Sequence, residues 1–191
     1  RFDPDANRGF NTDGPGFMQA VEEAFGVPLS SLRVVVAGAG GGAGQAIATQ
    51  CAMAGVAKLV VVNRSLEKLG PLVERLKTHG RGTEIVALSF DDPALEEQCL
   101  SCDLIVNTSS VGLKTGDPSI LPSACLKHEH LVYDTIYQPA VTPLLAAADA
   151  GGCRTANGLS MLIHQGVLAF QHWFPGTEPL PVMHAALAVR P

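Results

Sequence analysis

A doubly wound α/β fold, a parallel sheet with helices on both faces, is predicted by three features of the 191-residue chain. Short β-branched runs alternate with longer amphipathic stretches. The first of these runs ends in a glycine-rich turn that opens directly into a helical stretch. Hydrophobic residues make up 47% of the chain, enough for one substantial core and for strands buried on both faces.

Residues 13–25 are predicted as a capped helix carrying Phe17, Ala20, Val21 and Ala24 on one face and stopped by Gly26-Val27-Pro28. Residues 33–37 form a short strand, and residues 43–54, small and apolar, a closely packed helix. The pattern repeats as strand 59–62 and helix 66–78. Strands 84–88 and 103–106 flank a short helix at 93–100. Strand 131–134 leads to helix 142–150, ended by Gly151-Gly152, and then to a last short strand at 154–156. Residues 159–173 form a long amphipathic helix stopped near Pro175-Gly176, and residues 182–189 a small terminal one. Helices of this length between strands are the crossovers that a parallel sheet needs. One domain is expected over residues 13–191, with residues 1–12 a remnant of a connection between domains.

A net charge of -5 without a dense Lys/Arg stripe argues against nucleic-acid and anionic-membrane partners. No apolar run approaches the ~18 residues of a bilayer span, and Arg1-Phe2-Asp3-Pro4 does not read as a secretory leader, so a cytoplasmic protein is expected. The five cysteines, an odd number in apolar or helical surroundings, are expected to be small buried hydrophobes rather than a disulfide framework. Cys99-Leu-Ser-Cys102 has no second pair at zinc spacing, and His128 and His130 alternate into a strand as a solvated edge would. No metal site is expected.

The turn Gly38-Ala39-Gly40-Gly41-Gly42-Ala43 fits the G-x-G-x-x-A dinucleotide fingerprint, in the required place between strand and helix. Glycines permit the tight turn and the close approach of a pyrophosphate. Ala43 is expected to let helix and strand pack closely while the helix N-terminus faces the anion. The fold is thus Rossmann-like. About twenty residues on, where an NAD site usually places an acid on the ribose, stand Asn63, Arg64 and Ser65. A carboxylate would repel a ribose 2′-phosphate, whereas a guanidinium can hold it bidentately. A helix opening at Ser65, with Lys68 one turn along, would face the same anion, so the pattern selects NADP rather than NAD.

Five segments together resemble the shikimate dehydrogenase family: GFNTDGPGF at 9–17, the glycine loop with NRSLEK, DLIVNTSSVGL at 103–113, YDTIYQPAVTPLL at 133–145, and NGLSMLIHQGVLAF at 157–170. The resemblance implies reversible NADP-linked reduction of 3-dehydroshikimate to shikimate, in the pathway to aromatic amino acids. It implies that Asp13 is one half of a catalytic Lys-Asp pair and that Thr12, Tyr137 and Gln165 contact substrate. Asn107, Thr108 and Ser109 would line the cofactor groove, and Gly158 would lie against the nicotinamide. Asn11-Thr12-Asp13 is also an ordinary helix-capping sequence, Tyr137 suits a turn, and Gln165 a polar spot on a buried helix.

Two departures stand out. Gly44-Gln45 replaces the Lys or Arg usual in the family just after the glycine loop. No segment matching the family's substrate-binding domain, with its catalytic Lys, precedes Gly9. The expectation is therefore the cofactor part of the enzyme, inactive alone and completed by that domain. A stand-alone NADP-binding module and a quinate/shikimate dehydrogenase are the alternatives, and homodimerisation through the uncovered cleft side is expected.

Overall fold

The computed structural model describes residues 2–3, 6–7, 9–80 and 82–188. Two short strands, β1 (Phe2–Asp3) and β2 (Ala6–Asn7), pair antiparallel. There follow α1 (Asp13–Phe25), β3 (Val34–Ala37), α2 (Gly42–Ala54), β4 (Lys58–Val62), α3 (Gly70–His79), β5 (Glu84–Leu88) and α4 (Leu95–Leu100). The second half runs β6 (Leu104–Asn107), β7 (Leu131–Asp134), α5 (Pro143–Ala150), β8 (Arg154–Asn157), α6 (Leu159–Trp173) and α7 (Leu180–Ala188). The predicted terminal residue Val189 lies outside the described residues.

Six strands form one sheet in the order β5-β4-β3-β6-β7-β8, and every pair is parallel. The chain starts this sheet in its middle at β3, winds outward through β4 and β5, and returns to the other side of β3 with β6. The connections leaving β3 and β6 therefore diverge, and a crevice opens beyond their carboxyl ends.

Alternate strand residues feed two separate cores. Val34, Val36, Leu59, Val61, Leu104 and Val106 meet Phe17, Val21, Ile47 and Leu72 from α1, α2 and α3, with Met161 of α6. Val35, Val60, Val62, Ile105 and Val132 meet Leu95, Cys99, Leu144, Leu145 and Ala148 on the opposite side. Burial on both faces is why the central strands read as continuous apolar runs rather than alternating ones. At roughly 1.5–3 kcal/mol for each fully buried aliphatic side chain, this double layer dominates the stability. All five cysteines are free and buried, as expected.

Helix α1 closes at Gly26, whose φ of 71° suits a left-handed C-cap. It lies against α6, and Phe17 meets Tyr133 edge-on at 5.4 Å. A Cβ on Gly16 would sit 2.8 Å from the Gln165 nitrogen, so this glycine sets how closely the two helices approach.

Two expectations are corrected. The segment after β4 does not open as a helix at Ser65: Leu66–Lys68 is a single 3-10 turn, and the α-helix begins at Gly70 with a proline in its first turn. Pro71 lacks an N–H and fixes φ, which suits a helix start and not its interior. His130 is not on a solvated edge. It is fully buried, because the turn before β7 closes on itself and its Nδ1 accepts the Lys127 N–H. Burial holds its imidazole below the ordinary pKa and so in the neutral form.

Candidate cofactor and substrate site

The glycine loop is built from both sides. Gly38 takes φ 85°, and its N–H donates to the Val62 carbonyl at 2.8 Å, which ties the loop to the tip of β4. The Gly40 N–H donates to Asn63 Oδ1 at 3.3 Å, while Asn63 Nδ2 donates to the Ser65 carbonyl at 2.9 Å. Asn63 is thus spent on clamping two turns together. The next residue, Arg64, is exposed, as is Lys68, and neither forms a salt bridge among the described residues.

The close helix–strand contact expected at Ala43 falls instead at Gly44. Ala43 is half-buried and lines a cleft. A Cβ on Gly44 would lie 2.6 Å from the Gly38 carbonyl oxygen and 2.7 Å from Thr108 Oγ1. The reason is a third segment: the loop after β6 presses on the start of α2 at that point. Gly42, in contrast, has nothing within 4 Å of its missing side chain, so the N-terminus of α2 faces open space. The first N–H groups of a helix have no partner within it, and no side chain caps α2, so its first turn keeps donors of the kind an anion site uses.

The β6 loop divides its labour. Thr108 donates from both its N–H and its hydroxyl to the Ala37 carbonyl, each at 2.8 Å. Asn107 does not line the groove. It is fully buried, and its Nδ2 donates to both carboxylate oxygens of Asp134 at 3.1 Å. Its Oδ1 accepts the Ser109 N–H at 2.9 Å and the Ser109 hydroxyl at 2.8 Å. Asp134 also accepts from the Ile136 N–H at 3.0 Å and the Thr142 hydroxyl at 2.6 Å. Burial lifts the Asp134 carboxyl above its ordinary pKa, against the opposing pull of these donors. Thr108 and Ser109 do border a cleft, shared with Thr135 and Tyr137.

The proposed substrate residues come together. Asp13, Tyr137, Gly158 and Gln165 line one cleft of about 340 Å³ with Ala43, Thr135, Met161 and Leu162. Thr12 stands beside it, its hydroxyl 3.5 Å from Gln165 Oε1. The N-cap position of α1 is Thr12, which makes no side-chain capping bond; Asn11 Oδ1 accepts the Asp13 N–H at 3.0 Å, and the Asp13 side chain is not the cap. Gly158 has φ of -74°, which any residue could adopt, but a Cβ there would lie 2.0 Å from the Thr135 carbonyl oxygen. Thr135, Asp134 and Thr142 were not singled out in the sequence, and Gly44 stood out only as a departure from the family pattern. Only the quoted segments around them hinted at a role. A larger cleft of about 780 Å³ lies along α5, β8 and α6, and none of the predicted site residues borders it.

The family model described as the shikimate 5′-dehydrogenase C-terminal domain matches residues 158–188. A shikimate dehydrogenase (NADP(+)) of Geobacter sulfurreducens is 42% identical over 180 residues, covering 94% of this chain and 62% of that protein. The shikimate 5-dehydrogenase of Listeria monocytogenes, solved with shikimate and NAD, superposes with a TM-score of 0.85 at 31% identity, over 92% of this chain and 62% of that one. A quinate dehydrogenase of Corynebacterium glutamicum, solved with NAD, gives a TM-score of 0.82 at 33% identity, over 95% and 63%. The chain thus spans less than two thirds of these relatives. With its glycine loop, its β4 tip and its α1–α6 cleft arranged on a matching fold, the chain is similar to shikimate dehydrogenases over about 60% of their length.

Proposed function

We propose that this chain is the NADP(H)-binding part of a shikimate dehydrogenase, serving the reversible NADPH-dependent reduction of 3-dehydroshikimate to shikimate. The observation that carries the cofactor choice is the tip of β4: Asn63 is turned inward onto Gly40 and Ser65, leaving the exposed Arg64 and Lys68 as the charges offered to a ribose phosphate. The open space at Gly42 fits a diphosphate, and Gly158 and Thr135 bound the nicotinamide end.

The cofactor, when bound, supplies the hydride. This chain's residues bind and orient around it. In this reading Gln165 and Tyr137 offer neutral donors for substrate oxygens, and the Asp13 carboxylate orients and charge-balances a cationic proton donor; their sharing one cleft supports it. No Lys, Arg or His lines that cleft among the described residues, which supports a donor from the partner domain and no turnover by this part alone. The same reading carries a cytoplasmic setting and homodimerisation. Quinate remains the alternative substrate, since a quinate dehydrogenase shares the fold.

Fluorescence titration with NADPH and NADH tests the reading. Wild type should prefer NADPH, and Arg64→Ala should lose about 10- to 100-fold of NADPH affinity with little change for NADH, the worth of one charge-assisted contact. Equal wild-type affinities for the two would overturn the cofactor choice. Adding the family's substrate-binding domain should bring shikimate oxidation, and faster quinate oxidation would favour the alternative.

A further inference from the structure

Behind the glycine loop runs a chain of hydrogen bonds that reaches α3. From α3, Arg75 Nη2 donates to Gln45 Oε1 at 2.7 Å, and Gln45 Nε2 donates to the Gly40 carbonyl at 3.1 Å. Gly40 is then held at both ends, its N–H on Asn63 and its carbonyl on Gln45. Arg75 is exposed and has no carboxylate partner among the described residues, while the adjacent Glu74 is paired with Lys77. A free guanidinium would ordinarily stay in water. Here it is spent on a neutral amide.

We propose that Arg75 is a positioning residue for dinucleotide binding, acting through Gln45 to hold the glycine loop in its anion-receiving shape. The inference rests on the loop's being the dinucleotide site. A glutamine amide can present either end to a neighbour, and only the nitrogen end bonds the Gly40 carbonyl. Arg75, which carries donors alone, accepts no other arrangement than oxygen toward itself and so fixes the amide. With that carbonyl engaged by the Gln45 amide, its negative end is already neutralised by a donor and is not left free to oppose an anion at the start of α2. The contribution is orientation, delivered to both dinucleotides alike, because the loop serves the diphosphate common to the two.

The test is titration of the 191-residue chain with NADPH and with NADH, comparing wild type, Arg75→Met, Gln45→Leu, the double variant and Arg75→Lys. Arg75→Met should weaken both dinucleotides by about 3- to 10-fold, the net value of one hydrogen bond. Gln45→Leu should do the same, the double variant should be no worse than the poorer single, and Arg75→Lys should recover part of the loss. An unchanged Arg75→Met, or losses that multiply in the double variant, would overturn the proposal. A loss confined to NADPH would overturn it as well, since it would make Arg75 a direct contact to the 2′-phosphate. Failure of the wild type to bind either dinucleotide would instead overturn the cofactor reading on which the proposal rests.

Discussion

Replacing Gly158 by alanine isolates one steric contact. The backbone conformation is not at issue, because φ of -74° is open to alanine. The added methyl would stand 2.0 Å from the Thr135 oxygen and 2.5 Å from its carbonyl carbon. A relaxed C···O contact needs about 3.3 Å, so roughly 1.3 Å must be gained by moving the β7–α5 connection or the start of α6. Neither is the far end of a flexible side chain. Overpacking of this kind costs about 1–3 kcal/mol, and rigid backbone on both sides places Gly158→Ala near 3. For a chain of this size each kcal/mol lowers Tm by about 2–4 °C, which gives a fall of about 6–12 °C. Thermal unfolding followed by circular dichroism reads this directly. Gly42→Ala is the control, since its methyl meets nothing within 4 Å and alanine favours a helix start; its Tm should stay within about 1 °C of wild type or rise. A Gly158→Ala variant melting within about 2 °C of wild type would refute the close-contact argument.

Two further substitutions probe charge, with opposite pH signatures. Asp134→Asn turns an amide nitrogen toward donors that converge on a carboxylate, and should cost about 1–3 kcal/mol in urea unfolding at neutral pH. Because burial raises the native pKa of Asp134 above the ordinary 3.8, the native state holds this proton more tightly than the unfolded chain; its share of the stability falls as pH rises through that window, and the variant should lack the fall. Arg33 and Asp103 form a two-pronged surface pair, with Nε–Oδ2 at 2.9 Å and Nη2–Oδ1 at 2.6 Å, and the Arg33 hydrogen bond holds the Asp103 carboxyl below the ordinary 3.8. Arg33→Ala should therefore cost no more than about 1 kcal/mol above that value, and the difference from wild type should vanish as pH falls through the lowered native pKa. A difference that grew in acid would contradict the assignment.

The sequence displays some parts of this molecule openly. Strands β5 and β7 and helices α1 and α6 fall at their predicted limits, since short apolar strand runs and a 3.6-residue apolar period are local signals. The Asp13–Gln165 cleft was readable only as a family pattern, because nothing local brings α1 to α6. What stayed hidden depends on where distant loops land. Gly44 matters because the β6 loop presses on it, and Asn107 turns inward because Asp134 waits there. His130 is covered by a turn that no periodicity announces. Arg75 and Gln45 meet across two helices, and neither residue type at its own position suggests the other.

The contact between the turn after β3 and the turn after β6 has a consequence for how this domain tolerates change. Thr108 caps the Ala37 carbonyl, the methylene of Ser109 lies 2.8 Å from where a Gly38 side chain would begin, and Thr108 Oγ1 does the same at Gly44. A bulkier residue in either turn therefore demands a matching retreat in the other, so the two should vary together among descendants of this sequence. Chimeras that import one turn from a relative without its companion would inherit a collision rather than a new specificity.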